Sequence, residues 1–292
     1  MTGRLRRFDT RCPAYRILAS LLLLVFGGVT FGQDEGSGCF GEELIQQAED
    51  HYCAGDTMQA LRSLETYAEQ YPDLATTVFV KWRLAEHLLQ SDTAGALRLM
   101  NEALAIEPMF GWVNIKDSCV LFQRRLSGSV KADMCVEMNR IYRAMDDPQQ
   151  ALHCLELADT KYLPYQGCGN GMLMYKTFLS PEFAKVYLQL GDTAQAMDRL
   201  LLFLFSTDGD ARPVAAMLKE ILLERYTAEE IARELRKGIR NIVIVDGRED
   251  EPEKILRMTV WGHVIREAAS RNAGWYRRWF RQEIGYRMLT SN

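Results

Sequence analysis

Four histidines and seven cysteines are the residues of this sequence best suited to bind a metal or to react. His51 is close to Cys53, and His153 adjoins Cys154, a combination of ligands that zinc accepts. Neighbouring residues of a helix point in different directions, so neither pair directs its side chains onto one ion. We therefore expect no metal and no cofactor.

Two further runs contain residues that bind ions or phosphate, but their spacing is wrong. The acidic run 246–253 lacks the alternating ligands around a central glycine that a calcium loop needs. The glycine-rich run 167–171 has neither GxGxxG spacing nor a preceding strand, which favours a simple connection. No GxSxG elbow, HExxH helix or P-loop occurs. The sequence predicts a protein that is not an enzyme; the alternative is an enzyme whose site comes from residues 109–131, 159–176 or 206–292.

The first 32 residues have the order of a signal peptide. Five arginines precede the apolar run 17–26, and small residues follow at Thr30 and Gly32, where signal peptidase requires them. The apolar stretch is shorter than the roughly 20 residues of a spanning helix. We expect export to the periplasm or the extracellular space, with cleavage before Gln33. Acylation of Cys39 is the alternative, although a polar stretch separates this cysteine from the apolar run.

The charge and the cysteine content of the chain make several classes of protein less probable. The formal net charge is −4, and loss of the cationic leader makes the remainder more acidic, which disfavours a nucleic-acid-binding protein. Six cysteines follow residue 32, an even number in a chain directed to an oxidising compartment. No CxxC pair occurs, so neither a zinc ribbon nor a thioredoxin-type site is expected.

Four short segments repeat one another and define the elements of the chain. They begin at Gly55, Ser91, Asp146 and Gly191, and each contains an aspartate followed four residues later by an alanine. An aspartate after a turn residue caps the next helix through the free amides of its first turn. Each segment therefore predicts a helix, a tight turn and a second helix.

These units resemble tetratricopeptide repeats (TPR). The matching positions are the small residues at helix contacts, the Gly-Asp turns and the closing prolines: Ala48, Ala60, Ala96, Ala103, Ala151, Ala158, Ala184, Ala196, Gly55, Gly191, Pro72 and Pro108. The resemblance covers about four units in residues 33–205, with irregular insertions at 109–131 and 159–176. It departs from the family at Asn139, where a small residue is expected, and at Tyr67, where alanine is usual. It implies an all-α fold, a right-handed α-solenoid of helical hairpins; the alternative is an irregular helical bundle.

The resemblance also implies a binding surface. In this family the first helix of each hairpin lines a concave face that holds peptides or proteins. Applied to this chain, the exposed residues of that face are Glu49, Tyr52, Lys81, Arg140, Arg143, Lys185 and Gln189. Their mostly positive charge favours an acidic segment. The Lys and Asn pair of carboxylate-clamp members is missing, since Lys81 is followed by Ala85, so an extended peptide fits better than a terminal carboxylate.

The expected function is accordingly that of a non-catalytic adaptor or assembly factor in the bacterial cell envelope. A lipid-anchored structural subunit of an envelope assembly complex is the alternative if Cys39 is acylated. Neither reading identifies the protein or peptide partner.

A disulfide candidate lies in the third unit. Cys135 precedes Asn139 by four residues, and Cys154 follows Ala151 by three. In an antiparallel hairpin whose contact joins Asn139 and Ala151, both cysteines move the same way from that contact. They should face each other, either bridged or as free core thiols.

Residues 206–292 are expected to form a helical region that caps the solenoid. Thr227 to Glu230 is a capping box that begins a helix. Residues 242–245 are predicted as its buried end; the alternative is a short strand, which would have no strand to pair with. Residues 253–269 and 273–286 are predicted as two closing helices. The last is rich in aromatic and basic residues and is expected to bury its rings. The alternative for it is a peripheral membrane or anionic contact through Trp275, Arg277, Arg278, Trp279 and Arg281.

Overall fold

The computed structural model describes residues 41–106, 129–163, 169–206, 209–247, 252 and 254–291. The predicted signal peptide, its cleavage before Gln33, Cys39 and most of the insertion 109–131 lie outside these residues. The chain divides into two compact units, residues 1–124 and 125–292, each described by itself. Over the described residues the chain is mostly helical, as predicted, with twelve α-helices and a small sheet of three strands.

The first unit contains two helical hairpins. Its helices are α1 (Glu42–Cys53), α2 (Thr57–Gln70), α3 (Ala75–Leu88) and α4 (Thr93–Ala105). α1 packs against α2 and α3 against α4, and α2 and α3 join the two hairpins. Ala48, Ala60, Ala85 and Ala96 are buried where the helices meet, so small residues permit close approach of the axes, as the sequence predicts.

The second unit begins with two more hairpins and continues into the C-terminal region. The helices of these hairpins are α5 (Val130–Ala144), α6 (Pro148–Asp159), α7 (Gly169–Gln189) and α8 (Thr193–Phe203). α9 (Arg212–Leu223) and α10 (Ala228–Arg240) follow, and α10 begins with the predicted capping box of Thr227 and Glu230. After the sheet come α11 (Ala273–Phe280) and α12 (Ile284–Thr290).

The four predicted turns are confirmed. Asp56, Asp92, Asp147 and Asp192 precede the second helix of each hairpin, and each carboxylate accepts the backbone N–H three residues later at 2.8 to 3.1 Å. Three of the preceding helices end at a residue with positive φ, namely Gly55 (83°), Asp146 (60°) and Gly191 (76°). This left-handed residue ends a helix and directs the chain into the next one.

The structure corrects two predictions after residue 240. Residues 243–268 form an antiparallel sheet of β1 (Val243–Asp246), β2 (Lys254–Val260) and β3 (His263–Ala268), in that order. The predicted helical end at 242–245 and the helix over 253–269 are therefore wrong. Along β2 the side chains of Leu256, Met258 and Val260 are buried, alternating with less buried positions. This period of two is the signature of a strand.

Two helix boundaries also differ from prediction. Residues 273–286 form two short helices rather than one, because Glu283 has extended backbone between them. Proline at 181 is typical of the first turn of a helix, but Pro181 lies inside α7, which continues to Gln189. Ser180 is buried there and donates its hydroxyl to the Arg199 carbonyl at 2.8 Å.

One hydrophobic core connects α7 and α8 with the sheet and with α9 to α12. It includes Ala184, Leu200, Leu235 and Met258, and Phe205 stacks on Phe280 at 4.2 Å between ring centroids. The compact units divide at residues 124–125, and this core extends across the predicted boundary after residue 205. None of the described helices combines the length and the hydrophobicity needed to cross a membrane.

Candidate functional site

A buried carboxylate lies between the first helices of the third and fourth hairpins. Glu182 of α7 is only 7% exposed, and its oxygens face cationic side chains from both helices. Lys185 Nζ is 2.9 Å away, Arg143 Nη1 is 3.3 Å away and Arg140 Nη2 is 3.9 Å away. Asn139 Nδ2 donates a further hydrogen bond at 3.3 Å. The chain's own carboxylate is thus held by three positive charges and an amide.

We call this group the α5/α7 polar cluster. Its members are Glu137, Asn139, Arg140, Arg143, Glu182, Lys185 and Gln189. On α5, Glu137, Arg140 and Arg143 follow one another at intervals of three, and Asn139 precedes Arg143 by four; on α7 the intervals are three and four. Such residues share one face of a helix, so the local helical repeat alone brings each set to the surface where α5 and α7 meet.

The charges in the cluster keep its central carboxylate ionised. Burial alone would raise the pKa of Glu182, but the hydrogen bond and charge of Lys185 and the charges of Arg140 and Arg143 outweigh it and lower the pKa below its ordinary value. Glu182 is therefore an anion at neutral pH. With Glu137, which lies 3.4 Å from Arg140, it offsets two of the three positive charges.

The cationic residues of the cluster differ in accessibility. Arg143 Nε donates to Gln189 Oε1 at 3.2 Å, and Gln189 Nε2 donates to the Arg143 carbonyl at 3.3 Å. This reciprocal pair connects α5 to α7 and engages Arg143, whose side chain is 23% exposed. The side chains of Arg140 (48% exposed) and Lys185 (36%) retain contact with solvent. These two cations are the ones that a ligand can reach.

Four of the seven residues predicted for the concave face are thus brought together: Arg140, Arg143, Lys185 and Gln189. Glu182 is not among the predicted residues, because the neighbouring Pro181 is typical of the first turn of a helix and so conceals the continuity of α7. The signal that could have identified it is its interval of three residues to Lys185, which on a continuous helix places a carboxylate beside a cation.

The three predicted residues of the first unit behave differently. Glu49 is buried, not exposed, because it lies four residues after the buried Ile45 and so shares its face of the helix. Lys81 does not point away from the second helix of its hairpin: its Nζ lies 2.6 Å from Glu102 of α4. Tyr52 is 40% exposed. Of this group, only Tyr52 has the expected exposure.

The structure contains Cys135 and Cys154 as free, buried thiols. Burial raises the pKa of Cys154 to about 12 and raises that of Cys135 further, with an added contribution from Cys154. Of the two outcomes expected for this pair, bridged or free, the structure has free core thiols.

A cleft of about 400 Å³ separates α8 from the β2–β3 turn and the start of β3. His263 Nδ1 and Asp198 Oδ1 lie 2.6 Å apart in it, and its walls include Leu201, Leu202 and Val264. A carboxylate paired with an imidazole can orient a general base, but the lining residues include no serine, threonine or cysteine to serve as a nucleophile. In the described ranges no group of three or more His, Cys, Asp or Glu is placed to hold a metal ion.

The aromatic helix α11 contributes mainly to the core. Tyr276 and Phe280 are buried, while Trp275 stacks on Trp279 at 5.4 Å with its own ring partly exposed. Arg277 donates to the Ile242 carbonyl at 3.0 Å and is therefore used inside the unit. Arg278 and Arg281 are exposed, so they and the two tryptophans remain available for the predicted anionic contact.

Comparison of the sequence with models of known protein families and with curated proteins found no match. The geometry of the α5/α7 polar cluster therefore carries the functional interpretation.

Proposed function

We propose that this chain is a non-catalytic binding protein of the tetratricopeptide-repeat type, and that the α5/α7 polar cluster holds an acidic segment of a partner protein. The observation that carries the proposal is the convergence of Arg140, Arg143 and Lys185 from two successive hairpins.

The repeated hairpins support the family assignment. Each of the four has an aspartate cap at the same position, and the alanine four residues after each cap is buried. A right-handed solenoid with a concave face formed by the first helices is the finer form of the proposal. In such a solenoid α5 and α7 are adjacent inner helices, and a ligand that follows the groove contacts both.

The chemistry of the cluster favours an acidic, extended ligand. Arg140 and Lys185 are partly exposed and lie on different helices, so a peptide that crosses from α5 to α7 reaches both. Exposed ion pairs contribute only about 0.2–1 kcal/mol each and weaken with salt. Binding through these residues should therefore be of modest affinity and strongly dependent on ionic strength.

The proposed place of action is the bacterial envelope, where the protein acts as an adaptor or assembly factor after export. This part rests on the order of charged, apolar and small residues before Gln33. Those residues lie outside the described ranges.

Fluorescence anisotropy with a labelled glutamate-rich peptide tests the proposal. The purified protein should bind this peptide, and Arg140→Gln and Lys185→Gln should each weaken binding about fivefold, the equivalent of one exposed ion pair near 1 kcal/mol. Raising the salt concentration should reduce the difference. Neutral substitutions are preferred, because a glutamate in place of Arg143 would lie against the buried Glu182.

Two controls accompany this measurement. Arg98→Gln removes a 73% exposed arginine from α4 and should leave binding unchanged. A peptide with glutamine in place of every glutamate should not bind. Equal affinity of the wild-type protein, Arg140→Gln and Lys185→Gln for the acidic peptide would refute the proposed site.

A further inference from the structure

The α5/α7 polar cluster is already occupied by a carboxylate that belongs to the chain. Glu182 accepts from Lys185 and Arg143 and lies within 4 Å of Arg140. An acidic ligand would use the same cations. The internal carboxylate and the carboxylate of a ligand therefore share one set of donors.

We infer that Glu182 is a specificity-determining residue: it acts as a built-in carboxylate that competes with an acidic ligand and limits the affinity of the cluster. This inference rests on the proposed function. It identifies the ligand group as a carboxylate, since that is the group the cluster holds in its centre.

Lys185 and Arg140 have enough N–H donors to contact Glu182 and a ligand carboxylate at the same time. Lys185 has three N–H donors and Arg140 has five. The contacts of Lys185 within the cluster use one donor, to Glu182. Those of Arg140 are with Glu137 and Glu182. Both side chains are at least one-third exposed, so their outward donors can reach a second carboxylate while Glu182 remains in place.

The sign of the effect follows from charge. Two effects oppose each other: Glu182 orients the cations, which favours binding, and it repels a second carboxylate, which opposes binding. The orientation of the two arginines is also maintained by contacts that do not involve Glu182, namely the Arg143–Gln189 pair and the Arg140–Glu137 pair. Lys185 donates to Glu182, and the amide oxygen that Glu182→Gln introduces still accepts that hydrogen bond. No other group of the cluster replaces the repulsion by Glu182, because once its negative charge is removed Glu137 is the one carboxylate that faces the three cations. Repulsion is therefore the larger effect.

Glu182→Gln tests the inference, because glutamine keeps the shape of the side chain and removes its charge. The probe is the labelled glutamate-rich peptide. We expect the variant to bind it about fivefold more tightly than the wild-type protein, which corresponds to roughly 1 kcal/mol. The salt dependence of binding should also become steeper.

Glu137→Gln is the matched control, since Glu137 contacts one of these cations, Arg140, whereas Glu182 contacts all three. It should increase affinity less than Glu182→Gln. If both variants gained the same affinity, the gain would be due to net charge and not to the position of Glu182, and the inference would be overturned. Unchanged or weaker binding by Glu182→Gln would also overturn it. A thermal melt followed by circular dichroism selects the temperature at which every variant is folded.

The inference and the proposed function fail in different ways. If the wild-type protein binds with the expected loss in Arg140→Gln, but Glu182→Gln gains nothing, the inference fails and the binding site remains. If neither the wild-type protein nor Glu182→Gln binds the peptide, both fail. Binding by Glu182→Gln alone supports the inference in its strongest form.

Discussion

Glu267 is a carboxylate that the fold half-buries against apolar residues. It lies on β3 opposite Leu256, on the side of the sheet that carries the buried Met258 and Ile265. Among the described residues no ion pair with Glu267 is found. Burial raises its pKa to about 6. The folded protein thus binds this proton more tightly than the unfolded chain, so the stability associated with it is complete below about pH 4.5 and is lost as the pH rises through about 6.

Replacing Glu267 with glutamine should remove that loss. At pH 7.5 the free energy of unfolding should increase by up to about 2 kcal/mol, whereas at pH 4 the variant and the wild-type protein should be nearly equal. Urea unfolding at the two pH values measures both quantities. Glu156→Gln, an exposed position on α6, is the control and should change little at either pH. A gain of the same size at pH 4 would show that the charge is not the cause.

The exposure of a side chain can be predicted from the sequence where helical spacing determines it. It cannot be predicted where it depends on a contact with another helix. Arg140 and Lys185 follow from the exposed face of a predicted helix. The burial of Glu49 depends on the orientation of α1, and the pairing of Lys81 depends on Glu102, which is 21 residues away in the chain. The spacing rules applied to α3 alone contain no information about that contact.

At the level of helices and strands, the features that can be predicted are those formed by residues close together in the sequence. The aspartate caps involve residues three positions apart, so a short sequence motif is sufficient to predict them. The sheet depends on pairing between segments, such as Val243 with Arg257. Residues 242–245 were assigned to a helix because an isolated strand has no hydrogen-bonded neighbour. The alternation of buried and less buried residues in 254–260 indicates a second strand, which is the hydrogen-bonded neighbour that residues 243–246 need.

The contact between α10 and β2 gives a test at this level. Gly238 lies so close to the strand that an added Cβ would be 2.3 Å from Val260 Cγ1 and 2.9 Å from the Thr259 carbonyl oxygen. Alanine improves helix propensity by roughly 1 kcal/mol, but here it must displace α10 from the sheet. Overpacking of this kind costs typically about 1–3 kcal/mol.

We therefore expect Gly238→Ala to lower the free energy of unfolding measured in urea, in spite of its higher helix propensity. Lys237→Ala on the neighbouring exposed position of α10 is the control and should be close to neutral. Stabilisation by Gly238→Ala would mean that α10 and β2 are farther apart than the structure places them.

At the scale of the whole chain, the compact units do not follow the repeat boundaries. The sequence resemblance ends near residue 205, yet Phe205 stacks on Phe280, and α12 approaches the end of the fourth hairpin closely. A Cβ at Gly285 would be 2.2 Å from the Leu204 carbonyl oxygen. The fourth hairpin and the C-terminal region share one core, and the third hairpin belongs to the same compact unit, so residues 125–292 should unfold together.

Two fragments distinguish this arrangement from a division after residue 205. The fragment 125–292 should retain helical circular dichroism and unfold in one cooperative transition, because it keeps the whole core. The fragment 125–205 should not, because it exposes the side chains of Leu200, Leu201 and Leu204 that pack in that core.

Leu200→Ala in the fragment 125–292 then measures the core itself. Leu200 is fully buried, and its truncation should lower the free energy of unfolding by about 2–5 kcal/mol. Leu202→Ala, two positions away and exposed, is the control and should cost far less. A cooperative transition in 125–205 that responds to Leu200→Ala as strongly as 125–292 does would place the boundary after residue 205. The hairpins would then fold without the C-terminal region.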